Sequence, residues 1–276
     1  MNETKKEHYV PCCYLWNFSF CKNHKKTQQS PVYVFDKVLN KSFVRAVHDV
    51  ASEYYFYDND ELENNKKLLE NFFCKQVEVE YSTCLKRIID RIDKNTKSVI
   101  LSDDKSTLSA LFAIQYVRTL AYRNYLAYVV GKIKKTVPKN SIYYDRITKE
   151  DYIKSIHNHE LLDLKTANFF ANTFEDKKWV IIVNKTSHYF CTSDNPICVI
   201  TPSESLGLCS PLCVVAIPIS PNILIAMTDK KLPIHDCIVA EVTEVKMVDY
   251  LNKKQYEYCV RCMYSFVDDF KFLHTK

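Results

Sequence analysis

The hydrophobic period of this chain changes once, near residue 175, and that change limits its fold more than any other feature. From residue 59 to about 173, apolar residues recur at the three-to-four-residue spacing of helices, and from 179 to 227 they come in short β-rich runs. The helical part begins with Asp60, Glu61 and Glu63, carboxylates suited to the positive end of a helix dipole. It continues through Leu62, Leu68, Leu69, Phe72 and Phe73 to Val79, Cys84, Leu85, Ile88 and Ile89, as one long helix or a broken pair. Ser102 to Asp104 can cap a helix running to about residue 135, which Pro138 stops, and a further helix covers 149–173. Ahead of this block, residues 32–35 and 43–47 flank the turn-forming stretch 36–40 and predict a hairpin. After it, strands are expected over 179–183, 189–192, 197–200, 214–217 and 223–227, and helical spacing returns over 245–267 with Met247, Leu251, Tyr258 and Cys262 as its stripe.

The expected fold class is therefore α+β: a mostly antiparallel sheet, a helical block at about 59–173 inserted between an early hairpin and the later strands, and a C-terminal helix. A single domain over 1–276 is the expected organisation, because no linker or low-complexity stretch interrupts the chain. A short hairpin is not stable alone, so it should join or pack near the later sheet.

Composition narrows the function classes. The net charge of +5 permits a basic patch without the field of a dedicated DNA packager. Two glycines in 276 residues leave no material for a GxGxxG or Walker phosphate loop. That scarcity, with plentiful Asn, Lys and Tyr, reads as the bias of an AT-rich bacterial genome. Twelve cysteines in apolar settings, such as Cys74, Cys84, Cys198 and Cys262, predict buried free thiols in a reducing cytoplasm rather than a disulfide framework. The apolar N-terminal stretch is broken by Pro11 and lacks a cleavage signature, and the apolar run 108–133 carries Arg118 and Arg123, so no membrane anchor is expected.

Several constellations bear on chemistry. His8, Cys12, Cys13, Cys21 and His24 include a CxxH spacing, yet the set matches no standard zinc pattern, and core cysteines account for it better. The same applies to His188, Cys191, Cys198, Cys209 and Cys213, and to Cys259 and Cys262. No metal site is predicted. HExxH is missing, since His157 and His159 lie two apart on different helix faces. Gln115 and Arg118, at i and i+3, share a helix face with Leu111 and Tyr122, so the guanidinium needs an internal carboxylate and carbonyls or an anionic ligand such as phosphate. Ser193, Asp194, Asn195 and Pro196 end a strand in a turn, which either closes the backbone or presents a rigid carboxylate.

The opening HYVPCCYLWNF, the VYVFDK strand, VASEYYFY, the IQYVRT helix, TSDNP, the IPISP strand and the final LNKKQYEYCVRCMYS, in that order, resemble the domain of unknown function 4238 family. Cys12 stands where that family usually has Gln. The resemblance implies an architecture and candidate positions, and bacterial intracellular relatives, but no reaction. If the matching polar positions share one purpose, His8, Arg118 and Asp194 form a catalytic set, with Gln115 and Asn195 as ligand-binding partners. That set suits a phosphoester- or nucleic-acid-directed hydrolase, a nuclease included, in a defence or mobile-element setting. The alternatives are a buried polar network that docks the N-terminal segment, a non-catalytic nucleotide- or RNA-binding module using Lys, Arg and stacked tyrosines, and a protein-interaction module. Nucleotide or nucleic acid is the partner each binding or catalytic reading implies, and no cofactor is specified.

Overall fold

The computed structural model describes residues 6–20, 27–58, 67–94, 96, 98–149, 151–203 and 206–273. An N-terminal strap opens with β1 (Lys6–His8) and turns at Pro11 into one turn of helix, α1 (Cys12–Leu15). The expected hairpin follows as β2 (Pro31–Asp36) and β3 (Lys41–Ala46), paired antiparallel. Asp36 closes it locally: one carboxylate oxygen accepts the amides of Val38 and Leu39. Then β4 (Ser52–Tyr54) returns to pair with β1.

The helical block begins with α2 (Leu68–Phe72), widens to a π-helical turn over Phe73–Val77, and continues as α3 (Glu78–Asp93). The acidic start at Asp60, Glu61 and Glu63 lies outside the described residues. The single helix expected over 102–135 is two, α4 (Ser102–Val117) and α5 (Leu120–Lys134), because Thr119 adopts an extended backbone (φ −76°, ψ 158°) and its hydroxyl accepts the Tyr122 amide to cap α5. After α6 (Ile142–Ile147), the helix expected over 149–173 also divides, into α7 (Tyr152–Asp163) and α8 (Lys165–Asp176). Leu164 between them is left-handed, with φ 57°.

The β half comprises β5 (Lys178–Asn184), β6 (Thr192–Ser193), β7 (Cys198–Ile200), β8 (Val214–Ser220), β9 (Ile223–Thr228) and β10 (Ile238–Val242), and α9 (Val245–Tyr258) precedes β11 (Cys262–Ser265). One sheet runs β10-β5-β9-β8-β7, antiparallel except for the parallel β10–β5 pair. A second runs β3-β2-β11-β6, all antiparallel. The hairpin thus reaches the later strands through β11. Two expectations change here. The helical run 245–267 stops at Tyr258, and Cys262 belongs to a strand; of the run 189–192, only Thr192 is in β6.

Along β5, Trp179 and Ile181 face the large core shared with the helices, while Val180 and Ile182 face the cluster under α9. That two-residue alternation makes the five-stranded sheet the middle layer between the helical block and α9. Trp179 is wholly buried, stacked 5.8 Å from Phe112 of α4, and its indole N–H donates to the Phe174 carbonyl. An aromatic pair of this kind adds about 1 kcal/mol beyond the burial of its area. The strap is tied to both sheets by Tyr14, whose hydroxyl meets Thr192 of β6 and the Pro218 carbonyl of β8.

The eleven described cysteines are free thiols. Seven are buried, whereas Cys74, in the wide turn, and Cys209 are exposed. Among the described residues, no helix is long and apolar enough to cross a membrane.

Candidate functional site

The break between α4 and α5 is a polar hub. Arg118 closes α4 and is 1% exposed. Its Nη2 donates to the His8 carbonyl at 2.6 Å and to the Glu78 carboxylate at 3.1 Å, and Nε donates to the Tyr57 hydroxyl at 3.4 Å. The guanidinium also lies 4.1 Å from the centre of the Phe73 ring. One turn earlier, the Gln115 amide donates to the Tyr9 carbonyl at 3.1 Å. Two side chains on one helix face therefore grip consecutive carbonyls of the strap. The last carbonyls of α4 are satisfied by side chains from elsewhere: Val117 O accepts from His157, and Arg118 O from the Tyr57 hydroxyl.

His8 reaches this hub through its backbone. Its ring turns the other way, with Nε2 donating to the His48 carbonyl at 3.0 Å and lying 3.3 Å from the Cys12 sulfur. Burial pulls its pKa down to about 4, so the imidazole is neutral at physiological pH. Burial pushes the Cys12 thiol up to about 12, so this pair is not an activated nucleophile and base.

Asp194 and Asn195 occupy a second centre, at the end of β6. The Asp194 carboxylate accepts the amides of Val260, Arg261 and Cys262 at 2.7 to 2.8 Å. Asn195 donates to the Tyr258 carbonyl, and Gln255 of α9 donates to the Asn195 carbonyl and the Ser193 hydroxyl. Together they fasten the turn between α9 and β11 to β6. Burial raises the Asp194 pKa against the pull of the three amides. No hydrogen bond or ion pair joins Asp194 to His8 or Arg118. The two centres meet at Tyr9, whose carbonyl is held by Gln115 and whose ring borders a cleft with Asp194.

Of the N-terminal Cys/His set, Cys21 and His24 lie outside the described residues. Among those described, no three His, Cys, Asp or Glu side chains are grouped to hold a metal ion. In the second set, His188 meets Asp249 at 2.7 Å and the Cys198 thiol meets the Gln255 side chain at 3.2 Å.

A feature not singled out from the residues lies at the far end of α5. Lys132, Lys134, Lys135 and Lys139 are all exposed there, with Tyr125 (57%), Tyr128 (61%) and Tyr143 (71%) beside them. Lysines in the last turn of α5 complement the helix dipole, which accounts for their local placement. Lys132 lies over the Tyr128 ring and Lys134 over the Tyr144 ring, so cations and aromatic faces are interleaved. Lys134, Lys135, Lys139 and Tyr144 border a groove of about 600 Å³. The sequence carries a signal for it: from residue 105 to 144 there is no Asp or Glu.

The sequence profile of the family described as "Protein of unknown function (DUF4238)" matches residues 6–266. No curated protein and no solved structure matches the chain.

Proposed function

We propose, from the premise that this chain belongs to the family described as a protein of unknown function (DUF4238), that it is a non-catalytic module binding single-stranded nucleic acid at the α5–α6 corner. One observation carries the reading: exposed lysines interleaved with exposed tyrosines in a stretch without a carboxylate. Lysines neutralise phosphates, and tyrosine faces stack on unpaired bases of any sequence. A bacterial cytoplasm is the setting we propose with it, a reading that the free thiols support.

The test is fluorescence anisotropy of labelled single-stranded and duplex oligonucleotides over a salt series. Four lysines each meeting a phosphate predict a slope of log K against log salt of about −3 on a single strand. Tyr128→Ala should weaken binding by about 1 to 3 kcal/mol, the worth of one stacked base. No binding at low salt, preference for anionic lipid vesicles, or indifference to replacing the four lysines by alanine would sink the proposal.

The hydrolase reading keeps one observation in its favour: Arg118 Nη1 is buried without a hydrogen-bond partner. It calls for phosphodiesterase assays with Mg²⁺ or Mn²⁺, in which Arg118→Lys should abolish turnover while leaving oligonucleotide binding at α5–α6 intact.

A further inference from the structure

A cleft of about 380 Å³ lies between the strap and the four-stranded sheet, remote in sequence from the α5–α6 lysines. Most of its carboxylates already have partners. Asp36 takes two amides and the Arg261 Nε, Asp49 pairs with Lys6, and Asp194 takes three amides.

Other groups lining the same cleft keep bonding capacity to spare. Among the described residues, the Glu53 carboxylate makes no hydrogen bond or ion pair, and Arg45 lies over the Phe43 ring and donates only to the carbonyl of its own neighbour, Val44. Arg261 spends only Nε on Asp36 and keeps its outer N–H groups. The Ser52 hydroxyl is buried and unpartnered. Tyr9 is 7% exposed, and its hydroxyl, which makes no hydrogen bond among the described residues, lies within the fields of Asp194, Glu53 and Arg261. Buried polar groups are nearly always satisfied, so the orphaned Ser52 hydroxyl, in one cleft with the free charges of the exposed Arg45 and Glu53, marks a place where something polar is expected to bind.

The charges say what kind of molecule fits. With the paired groups set aside, Arg45 and Glu53 remain as one unpaired cation and one unpaired anion. A metal ion would meet a single free carboxylate, and a simple anion would leave Glu53 unanswered. We propose that this cleft binds a small molecule that carries both an anionic head, carboxylate or phosphate, and an N–H donor. Arg45 and the outer N–H groups of Arg261 receive the head, Glu53 accepts the donor, and Tyr9 and Ser52 hydrogen-bond between them. Phe43 and Tyr264 supply apolar wall.

Two sources share that chemistry, amino acids and nucleoside monophosphates, and the experiment separates them. Calorimetric titration and thermal shift are run on the full chain with the twenty amino acids, the four nucleoside 5′-monophosphates, and acetate and inorganic phosphate as heads alone. One of the first two panels should bind at one site per chain, and the heads alone should bind more weakly. Arg45→Ala and Glu53→Gln, both at exposed positions, should each weaken that binding at least about tenfold while leaving the unliganded melting temperature unchanged. Replacing the four α5–α6 lysines should leave it untouched, which keeps this proposal separate from nucleic-acid binding. No response from either panel at about 1 mM overturns the proposal. So does binding that survives either Arg45→Ala or Glu53→Gln, or that is lost with the lysines.

Discussion

At the scale of single residues, Arg118 illustrates what spacing conveys and what it omits. Its position three residues after Gln115 puts both on one apolar helix face, and that much is legible before folding. Its main partner is not, because the His8 carbonyl is a backbone group with no sequence signature. The same holds for Asp194, read as either a turn carboxylate or a reactive one; the three amides that occupy it belong to a segment more than sixty residues away. If Arg118 acts as the clamp of the strap, Arg118→Ala leaves Glu78 and the His8 carbonyl unanswered. It should then cost about 3 to 5 kcal/mol in urea unfolding, the usual penalty for breaking a buried pair. Arg118→Lys should recover little of this, since one ammonium cannot serve the His8 carbonyl, Glu78 and Tyr57 in the fork geometry of a guanidinium. A variant with unchanged stability would instead leave Arg118 free to act on a ligand.

At the scale of elements, existence was easier to read than extent. Each expected helical region contains helix among its described residues, yet two of them contain breaks that periodicity does not reveal, because the apolar spacing runs on through them. Thr119 ends one register and starts another by leaving the helical region and capping α5, and Leu164 does so by turning left-handed. Thr119→Ala should therefore cost about 1 kcal/mol in a thermal or urea melt, the typical value of an N-cap side chain. A larger loss would show that the break also sets the direction in which Arg118 points. The C-terminal run shows the converse case. Helical spacing persists to residue 267, but the backbone N–H groups of Val260, Arg261 and Cys262 donate to the Asp194 carboxylate instead of continuing the helix, and pairing with β2 and β6 makes a strand of Cys262–Ser265.

At the scale of the whole molecule, burial sets how stability should respond to pH, through groups of opposite sign. His8 and His157 are held neutral, with pKa values lowered from 6.5 to about 4 and about 3. For His157 the state is visible in its bonds: Nε2 donates to the Val117 carbonyl and Nδ1 accepts from Arg123. The unfolded chain binds protons at these positions below about pH 6.5 and the native chain does not, so their contribution is full above that pH and lost as pH falls towards the folded values. Glu70 runs the other way. Burial raises it from 4.5 to about 7, so its contribution is full below 4.5 and declines as pH rises to about 7. Urea unfolding of the native chain and Glu70→Gln between pH 4 and 8 should show the variant gaining on the native chain from pH 4.5, with the gap levelling above 7. A gap that is the same at every pH would mean that Glu70 is not desolvated.

The amino-acid sequence by itself determined the α+β class, the early hairpin, the helical block and the later strands, because these follow from local periodicity and turn chemistry, which each segment carries within itself. Free thiols were likewise legible from apolar context. The membership of the two sheets, the placement of β11 between β2 and β6, the grip of Gln115 and Arg118 on the strap, and the gathering of unpaired groups around one cleft were decided only by tertiary structure. Those features depend on which backbone carbonyls and amides distant segments bring together, and backbone groups are the same at nearly every position of a sequence.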